Sequence, residues 1–200
     1  MGMELTLTNI FQFASALSPL LLGFFLLMTS VFNQNIRGIV YLAGVLIACV
    51  INLVLMGVIR SRRDVNAAAL CDLVSLPFVN GYNSPSLSSL FIAFTIAYLV
   101  LPMTYNDNMN YGVLAVLLGL FVMNAISRVT NRCTTTIGIF LGALVGLVLG
   151  GLWYTLFHST GHDSLLFFNE VSSNNVVCSR PAKQTFKCSV YKNGELIKQL

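Results

Sequence analysis

The side chains able to hold an anion are few and far apart in the chain. Arg60, Arg62 and Arg63 fall in the run Arg60-Ser61-Arg62-Arg63-Asp64. Ser86 and Ser88 fall in Ser84-Pro85-Ser86-Leu87-Ser88-Ser89, directly before an apolar stretch. Ser127 and Arg128 precede Cys133 and Thr134. A guanidinium presents two parallel N–H donors that match a phosphate edge, and serine hydroxyls beside a helix start add neutral donors. Such groups bind phosphate but do not move protons. The two histidines, His158 and His162, lie beyond the last apolar stretch. With Asp163 they supply too few ligands for a metal, and Gly161 interrupts the helical spacing that would align them, so no metal or other cofactor is expected. Arginines at helix ends also anchor to headgroups, and serines also cap helices, so the anion reading stands beside these two.

These residues depend on a membrane bundle for their positions. Of 200 residues, 56% are hydrophobic and 9% charged, with mean hydropathy +0.79, which excludes an ordinary soluble domain, a disordered chain and a disulfide scaffold. The apolar residues come in long blocks, unlike the alternating strands of a membrane barrel. Five blocks are long enough to span a bilayer, at about 11–32, 38–59, 86–103, 111–126 and 136–157. The third and fourth are short, which predicts tilt or local thinning. The first has no basic leader region and is read as a retained helix. The start Met1-Gly2-Met3 fits the loose myristoylation pattern at Gly2.

Gly138, Gly142, Gly146 and Gly150 recur every four residues in the fifth block, a stripe of small residues that lets a second helix approach closely. Asn52 and Asn124 lie inside spans, where amides bond between helices. The long connection at 60–85 has room for an interfacial helix around 66–74. After residue 157 the composition turns polar, and Lys192-Asn193-Gly194 between two β-like runs predicts a small hairpin in the tail. The expected fold is therefore all-α, a polytopic bundle at 1–157 with an extramembrane tail at 158–200. The five cysteines are too scattered for zinc. Cys178 and Cys188 are the expected pair, if the tail lies in an oxidising compartment. Cys133 as a thiolate would need a register shift that the glycine spacing opposes.

In their order and spacing these motifs resemble the type 2 phosphatidic acid phosphatase (PAP2) superfamily, membrane phosphohydrolases of lipid phosphates. The family reads Lys-x6-Arg-Pro, then Pro-Ser-Gly-His, then Ser-Arg-x5-His-x3-Asp with a glycine ladder. In this chain Met56 stands at the lysine, Arg63 at the first arginine and Asp64 at the proline. Pro85 and Ser86 match, Leu87 replaces glycine and Ser88 replaces the first histidine. Ser127 and Arg128 match, Thr134 stands at the nucleophilic histidine, and Gly138 stands at the aspartate. The resemblance covers about 52–150, and it implies a PAP2-like core there.

It also implies that the acid and the nucleophile are gone, because neither motif carries an imidazole. The expectation is a degenerate, catalytically silent member that binds a lipid phosphate through Arg63, Arg128, Ser86 and Ser88, with Arg62 and Arg132 as possible helpers. The expected partners are membrane lipids, an anionic phospholipid among them, and a protein on the tail at 176–200. No feature points to nucleic acid. Two other readings stay open: a live phosphohydrolase with unusual residues, and a structural membrane or envelope protein whose tail recruits partners. Orientation stays open too. Five arginines flank the loops at 60–85 and 127–135, against Arg37 alone on the other side, which puts those loops in the cytoplasm; the family resemblance implies the reverse.

Overall fold

The computed structural model describes residues 6–65, 67–68, 71, 81–167, 189–192 and 195–199. Five helices account for nearly all of the bundle: α1 (Leu7–Phe32), α2 (Arg37–Ile59), α3 (Leu87–Tyr105), α4 (Tyr111–Thr130) and α5 (Thr136–Ser159). All five are long and apolar enough to cross a membrane, consistent with a multi-pass integral membrane protein. A 3-10 turn, Asp163–Leu165, follows α5.

The helices begin where local chemistry satisfies their first N–H groups. Thr6, Asn110 and Thr135 accept from Asn9, Val113 and Gly138 at the starts of α1, α4 and α5, as short polar side chains do at N-caps. The α2 helix stops at Arg60, whose backbone is left-handed at φ 50° while its N–H returns to Met56 O. The third and fourth spans run longer than their apolar blocks. At 19 and 20 residues they extend about 28–30 Å, close to the hydrocarbon thickness. Tilt or thinning is therefore not required, because Thr104, Tyr105 and the segment around Ser127 and Arg128 remain helical despite their polarity.

At the centre stands α3, with 67% of its most apolar window buried against 17–33% for the other four. Its main partner is α5. A Cβ on Gly142 would meet the backbone of Ser86, on Gly146 that of Leu90, and on Gly150 that of Phe94. Both series advance by four, so α3 and α5 run parallel and in register, in the manner of small-residue stripes. Around this pair Tyr41, Phe94 and Tyr98 form an aromatic cluster with centroids 5.5–6.2 Å apart.

Polar groups then tie the bundle crosswise. Tyr41 Oη and Thr95 Oγ1 are 2.7 Å apart between α2 and α3, and Trp153 Nε1 on α5 donates to Val40 O on α2 at 3.2 Å. Asn124 Nδ2 donates to Ser15 O at 2.8 Å, joining α4 to α1, and Asn52 Nδ2 donates to Pro85 O at 3.2 Å. Both asparagines thus bond between elements, as expected in a medium that offers no water. The apolar outer faces, Phe25, Val54, Phe140 and Leu144 among them, are exposed as lipid-facing surface.

The cysteine pairing differs from expectation. Cys71 and Cys133 form a disulfide, with 62 residues between them in sequence and Cα atoms 5.3 Å apart. Cys178 and Cys188 lie outside the described residues, as does most of the interfacial helix expected at 66–74. Ser189–Lys192 and Glu195–Gln199 have extended backbone; the Asn193-Gly194 turn of the expected hairpin lies outside the described residues.

Candidate functional site

The loops on one side of the bundle are built to bring distant residues together. Beyond the left-handed Arg60, residues 61–63 pair with 81–83: Arg63 N–H donates to Gly81 O at 2.7 Å and Asn83 N–H to Ser61 O at 3.0 Å, with Arg62 and Tyr82 forming an antiparallel bridge. This pairing folds the long α2–α3 connection back so that Arg63 lies next to the start of α3. At the end of α4, Cys133 N–H donates to Arg128 O at 2.9 Å across Arg132, which is left-handed at φ 55°. Arg128 therefore sits in the last turn of α4, facing the same region. Ala68 N–H donates to Asn131 O at 3.2 Å, linking the two loops directly.

Between these loops and the cleft bounded by α1, α2 and α3 lies a cavity of about 1070 Å³. Its polar end is lined by Arg63, Ser86, Ser88, Arg128 and Thr134, with Asn83 and the Cys71–Cys133 bridge beside them. Its long arm is apolar, with Leu20, Phe24 and Leu27 from α1 and Leu42, Leu46 and Leu53 from α2. Leu20, Phe24 and Leu46 are also exposed, so the arm opens sideways onto the lipid-facing surface. The cavity is thus amphiphilic, with cations at one end and a lipid-accessible groove leading away from it.

At the polar end, Arg128 has no charge partner among the described residues. Arg128 is partly buried and feels the like charge of Arg63. Its Nε has no hydrogen-bond partner, and it forms no ion pair among the described residues. A buried cation without a carboxylate costs several kcal/mol, of order the penalty for breaking a buried pair, and a second cation nearby adds to it. Arg63 Nη2 reaches Cys71 O at 3.5 Å, a long contact. The hydroxyls bond mainly to each other: Ser86 Oγ and Ser88 Oγ are 3.3 Å apart, and Ser89 Oγ donates to Ser86 Oγ at 3.1 Å. Ser86 is the N-cap residue of α3 yet makes no side-chain cap bond; its own N–H goes to Gly138 O at 2.8 Å.

The residues singled out in sequence therefore divide. Arg63, Ser86, Ser88, Arg128, Thr134 and Met56 all line the one cavity. Arg62 and Arg132 do not; Arg62 is held in the bridge to Tyr82, and Arg132 pairs with Asp64 at 3.6 Å at an exposed position, where such pairs contribute little. Thr134 Oγ–H donates to Asn83 O at 2.6 Å, so its proton is committed to a backbone carbonyl and no base adjoins it among the described residues. Gly138 packs against Thr134 and Asn83 and offers no side chain at the position of the family aspartate. Cys133 is half of a disulfide and is not a thiolate.

Sequence reasoning missed the bridge. The available signal was topological: with five spans, residues 71 and 133 fall in loops on the same side. His158 and Asp163 do meet, at 2.8 Å between Nδ1 and Oδ1, but at an exposed position on the opposite side of the bundle. Among the described residues no cluster of three or more His, Cys, Asp or Glu is placed to hold a metal. No protein-family model, curated protein or solved structure matches the chain.

Proposed function

We propose that this chain is a PAP2-like membrane protein without the catalytic histidines of that superfamily, a pseudo-phosphatase that binds a lipid phosphate or other phosphate headgroup. The observation that carries the reading is the unpaired, partly buried Arg128 beside a second guanidinium at the end of a cavity whose other arm is apolar and open to lipid. Two adjacent cations with hydroxyl donors suit an oxyanion, since charge-assisted bonds offset their desolvation and mutual repulsion. The groove suits the hydrocarbon of the same molecule, and a purely apolar ligand would leave Arg128 unanswered. The commitment of the Thr134 proton to Asn83 O argues against a live phosphatase.

The Cys71–Cys133 bridge supports an orientation with these loops in an oxidising compartment, against the arginine count. The arginines then serve the site instead of reporting topology, and the lysine-rich tail, with its proposed hairpin, faces the cytoplasm, where it is placed to meet a protein partner.

The test is native mass spectrometry of the purified protein with phosphatidic acid and phosphatidylcholine. Phosphatidic acid is expected to bind in preference, and Arg63→Ala and Arg128→Ala each to weaken that binding by about tenfold or more, the value of a lost charge-assisted bond. Equal retention of both lipids, or binding unchanged in both variants, overturns the reading in favour of a structural bundle.

A further inference from the structure

The apolar arm of the cavity has a direction, a length and an end. Its lining residues on α1, from Ala16 to Leu27, and on α2, from Leu42 to Met56, follow the three-and-four spacing of a single helix face. Val45 is buried at its base, while Leu20 and Phe24 on one side and Leu46 and Val50 on the other are exposed along its rim. We propose that this arm is a trough for one long hydrocarbon chain of the phosphate ligand, laid lengthwise between α1 and α2 with its end toward the turn that joins them. The ligand class is then a long-chain lipid phosphate and not a water-soluble phosphate. This rests on the headgroup reading above, which supplies the anchor at Arg128.

Contacts at both ends give the trough its shape. At one end the helices touch: a Cβ on Gly38 would fall 3.2 Å from Leu27 Cα and closer still to Ser30, and Gly38 N–H donates to Ser30 Oγ at 2.9 Å. At the other end they part. Pro19 lies inside α1 and has no N–H, so Ser15 O loses its helical donor and accepts from Asn124 Nδ2 instead, at 2.8 Å. That bond draws α1 to α4, whose main partners are α3 and α1, and leaves the space beside α2 open. Met56 and Leu42 are fourteen residues apart on α2, about 21 Å along the helix. An extended hydrocarbon with bonds of about 1.5 Å advances roughly 1.25 Å per carbon, so about sixteen carbons fill that length.

The occupant must be apolar along this length and anionic at its head, where Arg128 has no charge partner among the described residues. A span from a second copy of this chain fails the second condition, because none of the five helices contains Asp or Glu. A free phosphate fails the first, since it leaves the trough unfilled. A lipid phosphate meets both, and the exposed rim lets its chain enter sideways from the bilayer without passing through water.

The experiment irradiates the full chain in phosphatidylcholine nanodiscs with alkyl phosphates of eight, twelve and sixteen carbons that carry a diazirine at the chain end, and maps the labelled residues by peptide mass spectrometry. Each four carbons add about 5 Å, close to one helical turn, so labels are expected near Val50, Leu46 and Leu42 in turn. Arg128→Ala is expected to lower this labelling about tenfold or more. Leu46→Trp, which fills the trough, is expected to abolish it at Leu42, while Leu144→Trp, on the exposed face of α5, leaves it unchanged. Labels scattered over outer faces such as Phe140 and Leu144, or fixed at one place whatever the chain length, overturn the trough. The matching alcohols separate the two readings. If they label the trough as strongly as the phosphates and Arg128→Ala changes neither, the trough stands as a hydrocarbon site and the headgroup reading falls. If labelling depends on the phosphate and on Arg128 yet scatters, the headgroup reading survives and the trough falls.

Discussion

Substituting Gly146 by alanine tests the parallel α3–α5 seam on which the candidate site is mounted. A Cβ built there falls 3.0 Å from both Ala93 Cβ and Leu90 C, and closer still to Leu90 O. Ordinary carbon contacts lie near 3.5–4.0 Å, so the two helices must part by roughly 0.5–1 Å, and the neighbouring contacts lose about a quarter to a half of their attraction. Overpacking of this kind costs about 1–3 kcal/mol. Alanine recovers about 1 kcal/mol as the better helix former, so the net expected loss is about 0–2 kcal/mol against the native chain and about 1–3 kcal/mol against an alanine placed at an open helix position, or several degrees in Tm for a chain of this size.

Gly119→Ala is the control, because nothing lies within 4 Å of its Cβ position; it is expected to be neutral or slightly stabilising. The single tryptophan, Trp153, reports the outcome. It sits on α5 and donates to Val40 O on α2, so its emission in detergent follows separation of the seam during thermal or denaturant unfolding. Because Ser86 and Ser88 begin α3 and Thr134 precedes α5, the same displacement is also expected to weaken phosphatidic acid binding. If Gly146→Ala is as stable as Gly119→Ala and binds lipid equally well, the seam is not packed as described and the reasoning fails.

Further outcomes follow from other contacts. Arg128→Met removes a partly buried, unpaired cation. The apo protein should gain stability, by about 1 kcal/mol or more, while losing the thermal shift that phosphatidic acid confers on the native chain; an apo variant less stable than the native chain would contradict the account of that charge. Thr134→Val deletes the 2.6 Å bond to Asn83 O and should cost about 1 kcal/mol, with no effect on phosphate release from phosphatidic acid; measurable release by the native protein that vanishes in the variant would make Thr134 a nucleophile after all. Asn124→Ala breaks the 2.8 Å tie between α4 and α1 and should cost about 0.5–1.5 kcal/mol, read as earlier unfolding in the same tryptophan assay.

The membrane spans were legible from the chain alone because crossing hydrocarbon imposes a length and a polarity that any folded arrangement must respect. The five apolar blocks anticipate the helices of the bundle to within a few residues, and the four-residue glycine period anticipates a close helix contact. Where helices ended was less legible, since Ser127 and Arg128 look like loop by polarity yet continue α4, their backbone bonds outweighing the preference of their side chains for water.

What tertiary structure alone decided is which distant groups share a site. Arg63 and Arg128 line one cavity because a strand-like pairing folds residues 61–63 onto 81–83 and because a left-handed Arg132 turns the chain at the end of α4. Arg132, equally basic, is drawn away to Asp64, and Ser86 bonds to neighbouring hydroxyls in place of capping its helix. Composition cannot separate these cases, since the same residue types occur in each. The bridge between Cys71 and Cys133 belongs with them. A disulfide needs Cα atoms within about 7 Å and suitably directed Cβ vectors, and that proximity exists only once the α2–α3 connection is brought to the turn between α4 and α5, where Ala68 N–H donates to Asn131 O.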